Sequence, residues 1–120
     1  MFKIKKEVMR LICEASKDTY PNEFAAFLRM KYDIVYEIVM LPGTISSSRS
    51  AMYQLHMKPI DFTIVGTVHS HPSGVTLPSE ADLNLFSKTG KLHIIVGYPY
   101  DITNFSAYDR NGNRIEVELI

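Results

Sequence analysis

Of the 120 residues only one is cysteine and none is tryptophan. A lone Cys13 excludes an intrachain disulfide and any zinc knuckle built on thiolates, and a reducing, cytoplasmic setting is the natural expectation. Long apolar runs are missing too. No stretch approaches the roughly 20 residues needed to cross a bilayer, and the opening MFKIKKEVMR carries charge too early and too often for a signal-peptide core. Nor is there an excess of charge of one sign: thirteen basic and thirteen acidic residues cancel, so nothing advertises nucleic acid or an anionic membrane as a partner. Repeats, low-complexity tracts and Pro/Gly-rich linkers are absent. What is present is 46% apolar and 22% charged, the make-up of one globular domain over residues 1–120.

Periodicity divides the chain into helices and strands. Between Glu7 and Thr19, Val8, Leu11, Ile12 and Ala15 recur at helical spacing and predict an amphipathic helix with those four residues inward. Cys13 reads as a small packing residue on its flank. Strands are expected at Glu23–Leu28, Ile34–Leu41 and Ala51–His56, with a polar loop over Thr44–Ser50. Phe62–His69 is apolar on both alternating faces, which suits a central strand covered on both sides, and Gly66 within it hints at a close backbone approach. A loop bounded by Pro72 and Pro78 leads into a helix from Ser79 to about Thr89, stopped by Gly90. Leu92–Tyr98 is a further buried strand. Phe105–Asp109, a turn at Asn111-Gly112 and the alternating Ile115–Leu119 read as a hairpin. Strands outnumber helices and separate them, so a mixed sheet with helices on its faces is the expected α/β architecture.

Chemistry concentrates around residues 69–82. His69 and His71 stand two apart at the end of the central strand, which puts both side chains on one face about 7 Å apart along it. Two such imidazoles can tilt toward one metal ion, or they can simply be half-exposed polar residues. Ser79, Asp82, Leu83 and Phe86 share one face of the following helix, and Leu83 with Phe86 predicts that this face is buried. A buried ionised carboxylate needs a positive partner, and no Lys or Arg lies near Asp82 in sequence. Ser-x-x-Asp is also close to a capping box, and Ser79 can serve both purposes. A divalent cation held by His69, His71 and Asp82 would leave a fourth position for water, the pattern of a catalytic zinc site. Such a site needs a base. Glu23 is the candidate, although a charged residue guarding a strand end would look the same.

Glu23, His69-Ser70-His71-Pro72, and Ser79-Glu80-Ala81-Asp82 together resemble the JAMM (MPN) metalloprotease motif, E … H-[ST]-H-P-x₆-S-x₂-D. The likeness covers nearly the whole chain and is strongest to compact archaeal members. It implies a three-layer α-β-α domain with a mixed, curved sheet, related to the cytidine deaminase fold. It implies one Zn2+ per chain on His69, His71 and Asp82, with Glu23 as general base and Ser79 as donor to the oxyanion. Its implied activity is that of an isopeptidase cutting after the C-terminal glycines of ubiquitin or ubiquitin-like modifiers, so β-grasp modifier proteins and their conjugates are the expected partners. For a domain this small the desampylase type, acting on archaeal small modifiers, is the expected one. A homodimer is compatible with the sequence. Ala26 stands where many relatives have Gly, and the second zinc site and insertions of chain-specific deubiquitinases have no counterpart. His56 and His93 fall outside the motif and are expected in core or surface roles.

Three rival readings are distinguishable. A non-catalytic MPN binding module would lack motif ligands, whereas every motif position is filled. A zinc hydrolase trimming the C-terminus of a β-grasp sulfur carrier would present the same site. A nucleobase deaminase needs a Pro-Cys-x-x-Cys ligand pair, which one cysteine cannot supply.

Overall fold

The computed structural model describes residues 1–40 and 61–120. In chain order the elements are β1 (Phe2–Ile4), α1 (Lys6–Thr19), β2 (Ala25–Lys31), β3 (Ile34–Met40), β4 (Ile64–His71), α2 (Glu80–Thr89), β5 (Leu92–Gly97), β6 (Phe105–Tyr108), β7 (Arg114–Ile115) and β8 (Val117–Leu119). They build one mixed sheet in the order β7-β6-β5-β4-β2-β3-β1-β8. β4 runs antiparallel to β2 and parallel to β5, and the parallel pair requires a crossover connection, which α2 and its flanking loops provide. Only Glu116 separates β7 from β8, yet these strands occupy opposite edges of the order. Adjacent Cα atoms lie within about 4 Å, so the sheet curls until its two edges meet. That is the expected mixed, curved sheet with a helix on each face.

The two faces differ. Ala26, Leu28, Val68, Ile94, Val96 and Ala107 join Val8, Met9, Ile12 and Cys13 of α1 in the main core. On the opposite face Leu85 of α2 packs on Ala25, Phe27 and Ile64, and Phe86 packs on Ile95 and Tyr108. A β-bulge helps to set which side chains of β4 reach which face. Leu28 pairs with Gly66 and Arg29 with Ile64, leaving Val65 as the extra residue. Gly66 fulfils its expectation: a Cβ there would stand 1.5 Å from the Leu92 carbonyl oxygen. Gly90, at the end of α2 with φ +139, is equally confined, 2.1 Å from the Val65 carbonyl oxygen.

Several local expectations need correction. α1 buries Val8, Met9, Ile12, Cys13 and Ser16, while Leu11 is 54% exposed. The stripe is rotated because Cys13 and Ser16 are small enough for close approach to the sheet, and the Ser16 hydroxyl donates to the Ile12 carbonyl, removing the cost of burying it. α2 buries Asp82, Leu85, Phe86 and Thr89, not Leu83, for the same reason: the Thr89 hydroxyl donates to the Leu85 carbonyl. The central strand begins at Ile64 and reaches His71, and Phe62 is fully solvent-exposed ahead of it. The terminal segment pairs as a hairpin only through β7, because β8 crosses to lie parallel to β1. The predicted strand Ala51–His56 and the loop Thr44–Ser50 lie outside the described residues.

Candidate metal centre

The site forms where β4 ends beside β5, at the carboxyl ends of two parallel strands, where side chains and following loops converge. His69 and His71 project from β4 toward α2. Their rings tilt together, with centroids 4.9 Å apart and the two Nε2 atoms 3.1 Å apart. Asp82, in the first turn of α2, bridges them: Oδ1 lies 3.1 Å from His69 Nε2 and Oδ2 lies 3.2 Å from His71 Nε2. His69 and Asp82 are buried, while His71 is accessible from one side.

Capping and convergence use the same residues. The Ser79 backbone N–H donates to Asp82 Oδ2 at 2.8 Å, and the Asp82 N–H donates to Ser79 Oγ at 3.1 Å, completing a capping box. Ser79 Oγ therefore acts as an acceptor in the cap and keeps its own proton for another partner. The carboxylate is locked at the helix start by its own backbone before any other group approaches.

Glu23, just ahead of β2, brings a carboxylate oxygen and the two imidazole nitrogens to within 4.8 Å of one another. β2 pairs Ala25 with His69, which carries Glu23 to the histidine end of the sheet. Tyr20, Tyr98 and Tyr100 pack ring against ring beside it, with centroids 4.9 to 6.3 Å apart. The Tyr98 backbone N–H donates to the His71 carbonyl. Sequence periodicity gives no sign of this aromatic wall, since its members come from two distant loops.

Electrostatics favour an ionised Asp82 facing positive charge. Burial alone would push the Asp82 carboxyl up, but hydrogen bonds with His69 and His71 hold it far below the ordinary carboxylate range. Burial would likewise lower the His71 imidazole, yet its bonds to Asp82 and Val75 and the charges of Asp82 and Glu23 raise it overall. The His71 Nδ1–H donates to the Val75 carbonyl at 2.8 Å, so Nε2 bonds Asp82 as a donor while the ring is charged and presents a bare lone pair to the cluster once the ring is neutral. Two imidazole nitrogens and two carboxylates thus face one small volume. Nitrogen and carboxylate oxygen donors in this combination fit a zinc ion.

All five residues singled out from the motif meet here. His69, His71 and Asp82 are in mutual contact, Glu23 joins them from just ahead of β2, and Ser79 caps the helix that presents Asp82. His93 lies outside the cluster, buried on the same face of the sheet opposite Thr67. His56 falls outside the described residues.

The chain matches a family model described as prokaryotic homologs of the JAB domain over residues 5–111. It is 35% identical to a probable metalloprotease of Haloferax volcanii, a match that takes in 98% of this chain and 78% of that protein. Among solved structures it is similar to a JAB1/MPN domain protein from Archaeoglobus fulgidus, with a TM-score of 0.81, 39% identity and 99% of each chain covered. A second, at a TM-score of 0.80 and 38% identity, covers 100% of this chain and 98% of the other, and is described as "JAMM: A Metalloprotease-like Zinc Site in the Proteasome and Signalosome". Fold, converging donors and sequence agree: the chain belongs to the JAMM/MPN family of metalloprotease-like domains, in its prokaryotic JAB branch.

Proposed function

We propose that the protein is a zinc-dependent isopeptidase that hydrolyses the amide bond after the C-terminal Gly-Gly of a ubiquitin-like modifier, releasing the modifier from the amine to which it is joined. The observation that carries the reading is the convergence of both His69 and His71 Nε2 atoms on Asp82, with Glu23 close by. Asp82 serves as the carboxylate ligand because it lies 3.1 to 3.2 Å from both rings and is fixed by its cap. Glu23, only half-buried, is left for proton transfer. His69, His71 and Asp82 would hold a zinc ion, which when bound would supply Lewis acidity to polarise a carbonyl and to lower the pKa of water to about 7. Glu23 takes a proton from the attacking water and delivers it to the leaving amine nitrogen. Ser79 donates its free proton to the amide oxygen as negative charge develops there. Water and amide are consumed, and a carboxylate and an amine are formed.

Family membership and the proteasome and signalosome context in the description of one similar structure support a protein-modifier substrate. So does the rim: Val75 and Leu77, in the loop beside the site, are 54% and 67% exposed. An extended tail laid along this loop would be held through its backbone, and glycines would pass where side chains cannot. The test incubates the zinc-loaded protein with conjugates whose modifier ends in Gly-Gly or Ala-Ala, with and without a chelator. Cleavage of the Gly-Gly conjugate alone, abolished by the chelator, is expected. Equal cleavage of both would defeat the glycine requirement, and cleavage in the presence of chelator would defeat the metal mechanism.

A further inference from the structure

His71 owes its tautomer to a backbone carbonyl. The acceptor for its Nδ1–H is the oxygen of Val75, in a loop that belongs to no helix or strand. No side-chain replacement at position 75 removes that oxygen, so its placement depends on whatever fixes the loop. Two buried side chains of β6 do so. The Tyr108 hydroxyl donates to the Thr76 carbonyl at 2.7 Å, and Ser106 Oγ lies 2.7 Å from Thr76 Oγ1. Both reach over β5 from the face that also carries Phe86 of α2, against which the Tyr108 ring stacks. Thr76 is therefore bolted at its side chain and at its carbonyl, one residue from the oxygen that orients His71 and three from Ser79.

The geometry points to Tyr108 and Ser106 as positioning residues of the metal centre. Among the described residues neither hydrogen-bonds to the converging donors, and they act by holding the Val75 carbonyl where it selects the Nδ1–H tautomer of His71. This rests on His71 being a ligand, as proposed above. Outer partners that orient ligating histidines change metal affinity or activity roughly 10–100-fold when removed. Tyr108 is two steps removed from the ring, so the lower end of that range applies.

The experiment uses the full chain with Tyr108→Phe, which keeps the ring and removes the donor, and separately with Ser106→Ala. Zinc affinity is measured by competition with a chromophoric chelator, and the His71 tautomer is read from imidazole ¹⁵N shifts of the metal-free protein. Tyr108→Phe is expected to weaken zinc binding about tenfold and to convert a single tautomer into a mixture. Ser106→Ala is expected to change both in the same direction, by less. Unchanged affinity and tautomer in the folded variants would overturn the inference, even if the melting temperature fell. If Tyr108→Phe does not fold, Ser106→Ala decides on the same readouts. Failure of the wild-type chain to bind zinc would remove the metal-site reading itself, whereas zinc binding that the variants leave intact would remove only this inference.

Discussion

His93 and the pair His69–His71 lie on the same face of the sheet, under the same helix, and only one pair of strands away from each other. Thr67 pairs with His93 across β4 and β5 just as His69 pairs with Ile95. Yet the environments are opposites. The His93 Nε2–H donates to the Gly90 carbonyl, Nδ1 accepts from the Thr67 hydroxyl, and the ring stacks on Phe86 at 4.3 Å. Both nitrogens are satisfied by the fold, and burial drives the pKa down to about 4. His69 has no partner for Nδ1 among the described residues and turns Nε2 into a crowd of acceptors. A buried histidine whose two nitrogens are both answered by the protein is a structural part. One that shares its nitrogen with another imidazole and a carboxylate is set up for a cation.

Substituting the two kinds of histidine breaks the comparison most severely. His69→Ala, His71→Ala and Asp82→Ala are each expected to lose zinc and all measurable turnover, whereas His93→Gln keeps the metal. Elemental analysis of purified protein decides this, and equal zinc in all four would erase the distinction. Glu23→Gln is expected to retain zinc but lower kcat by about 10²–10⁴, because the amide cannot accept the proton.

Ser79→Ala sharpens the picture by separating the two roles of one hydroxyl. Loss of an oxyanion donor costs about 10²–10³ in kcat, while loss of a helix cap costs about 1 kcal/mol of stability. Both losses are expected here, read from steady-state kinetics and from denaturant titration. A lower melting temperature with unchanged kcat would leave only the cap.

The effect that leaves turnover untouched belongs to His93 and appears in the pH dependence of stability. Its ring stays neutral in the fold down to about pH 4, whereas an unfolded histidine protonates below about 6.5. Between those values the unfolded chain binds more protons, so stability falls as the pH drops, by about 3 kcal/mol across the window. The raised His71 works with the opposite sign and at higher pH: its contribution is present below about 6.5 and is lost as pH rises through its folded value. Denaturant midpoints of metal-free protein should therefore slope downward from about pH 6.5 to about pH 4, and His93→Gln should flatten the slope. An unchanged slope would show that another group governs acid stability.

Much of the site was legible in the sequence because its residues sit at short, rigid spacings. His69 and His71 are one strand repeat apart, and Ser79 and Asp82 are one helix turn apart, so local geometry alone aims each pair. The way the two pairs meet was not legible from spacing, since it depends on α2 folding back over β4. For the same reason nothing pointed to Tyr108 or Ser106, whose partner Thr76 lies 30 to 32 residues away. The faces of both helices were misjudged at Leu11 and Leu83. Hydrophobicity ranks leucine inward, but Ser16 and Thr89 bury themselves by answering their own helix carbonyls, and close approach to the sheet favours the smaller side chain. The Glu116 break was hidden because alternation continues through it while the strand changes neighbours.

The parallel pairing of β1 with β8 joins the extremes of the described chain, with Phe2 opposite Val117 and Ile4 opposite Leu119. Closing that contact costs more chain entropy than any other in the sheet, and only a few residues are paired once it forms. This seam is the place for late assembly and early sub-global opening. β4, β2 and β5, which carry the converging donors, pair along longer registers with one another. Fraying at the seam can therefore proceed while the donor cluster stays assembled, so the kinetics of the edge and the integrity of the centre are largely uncoupled.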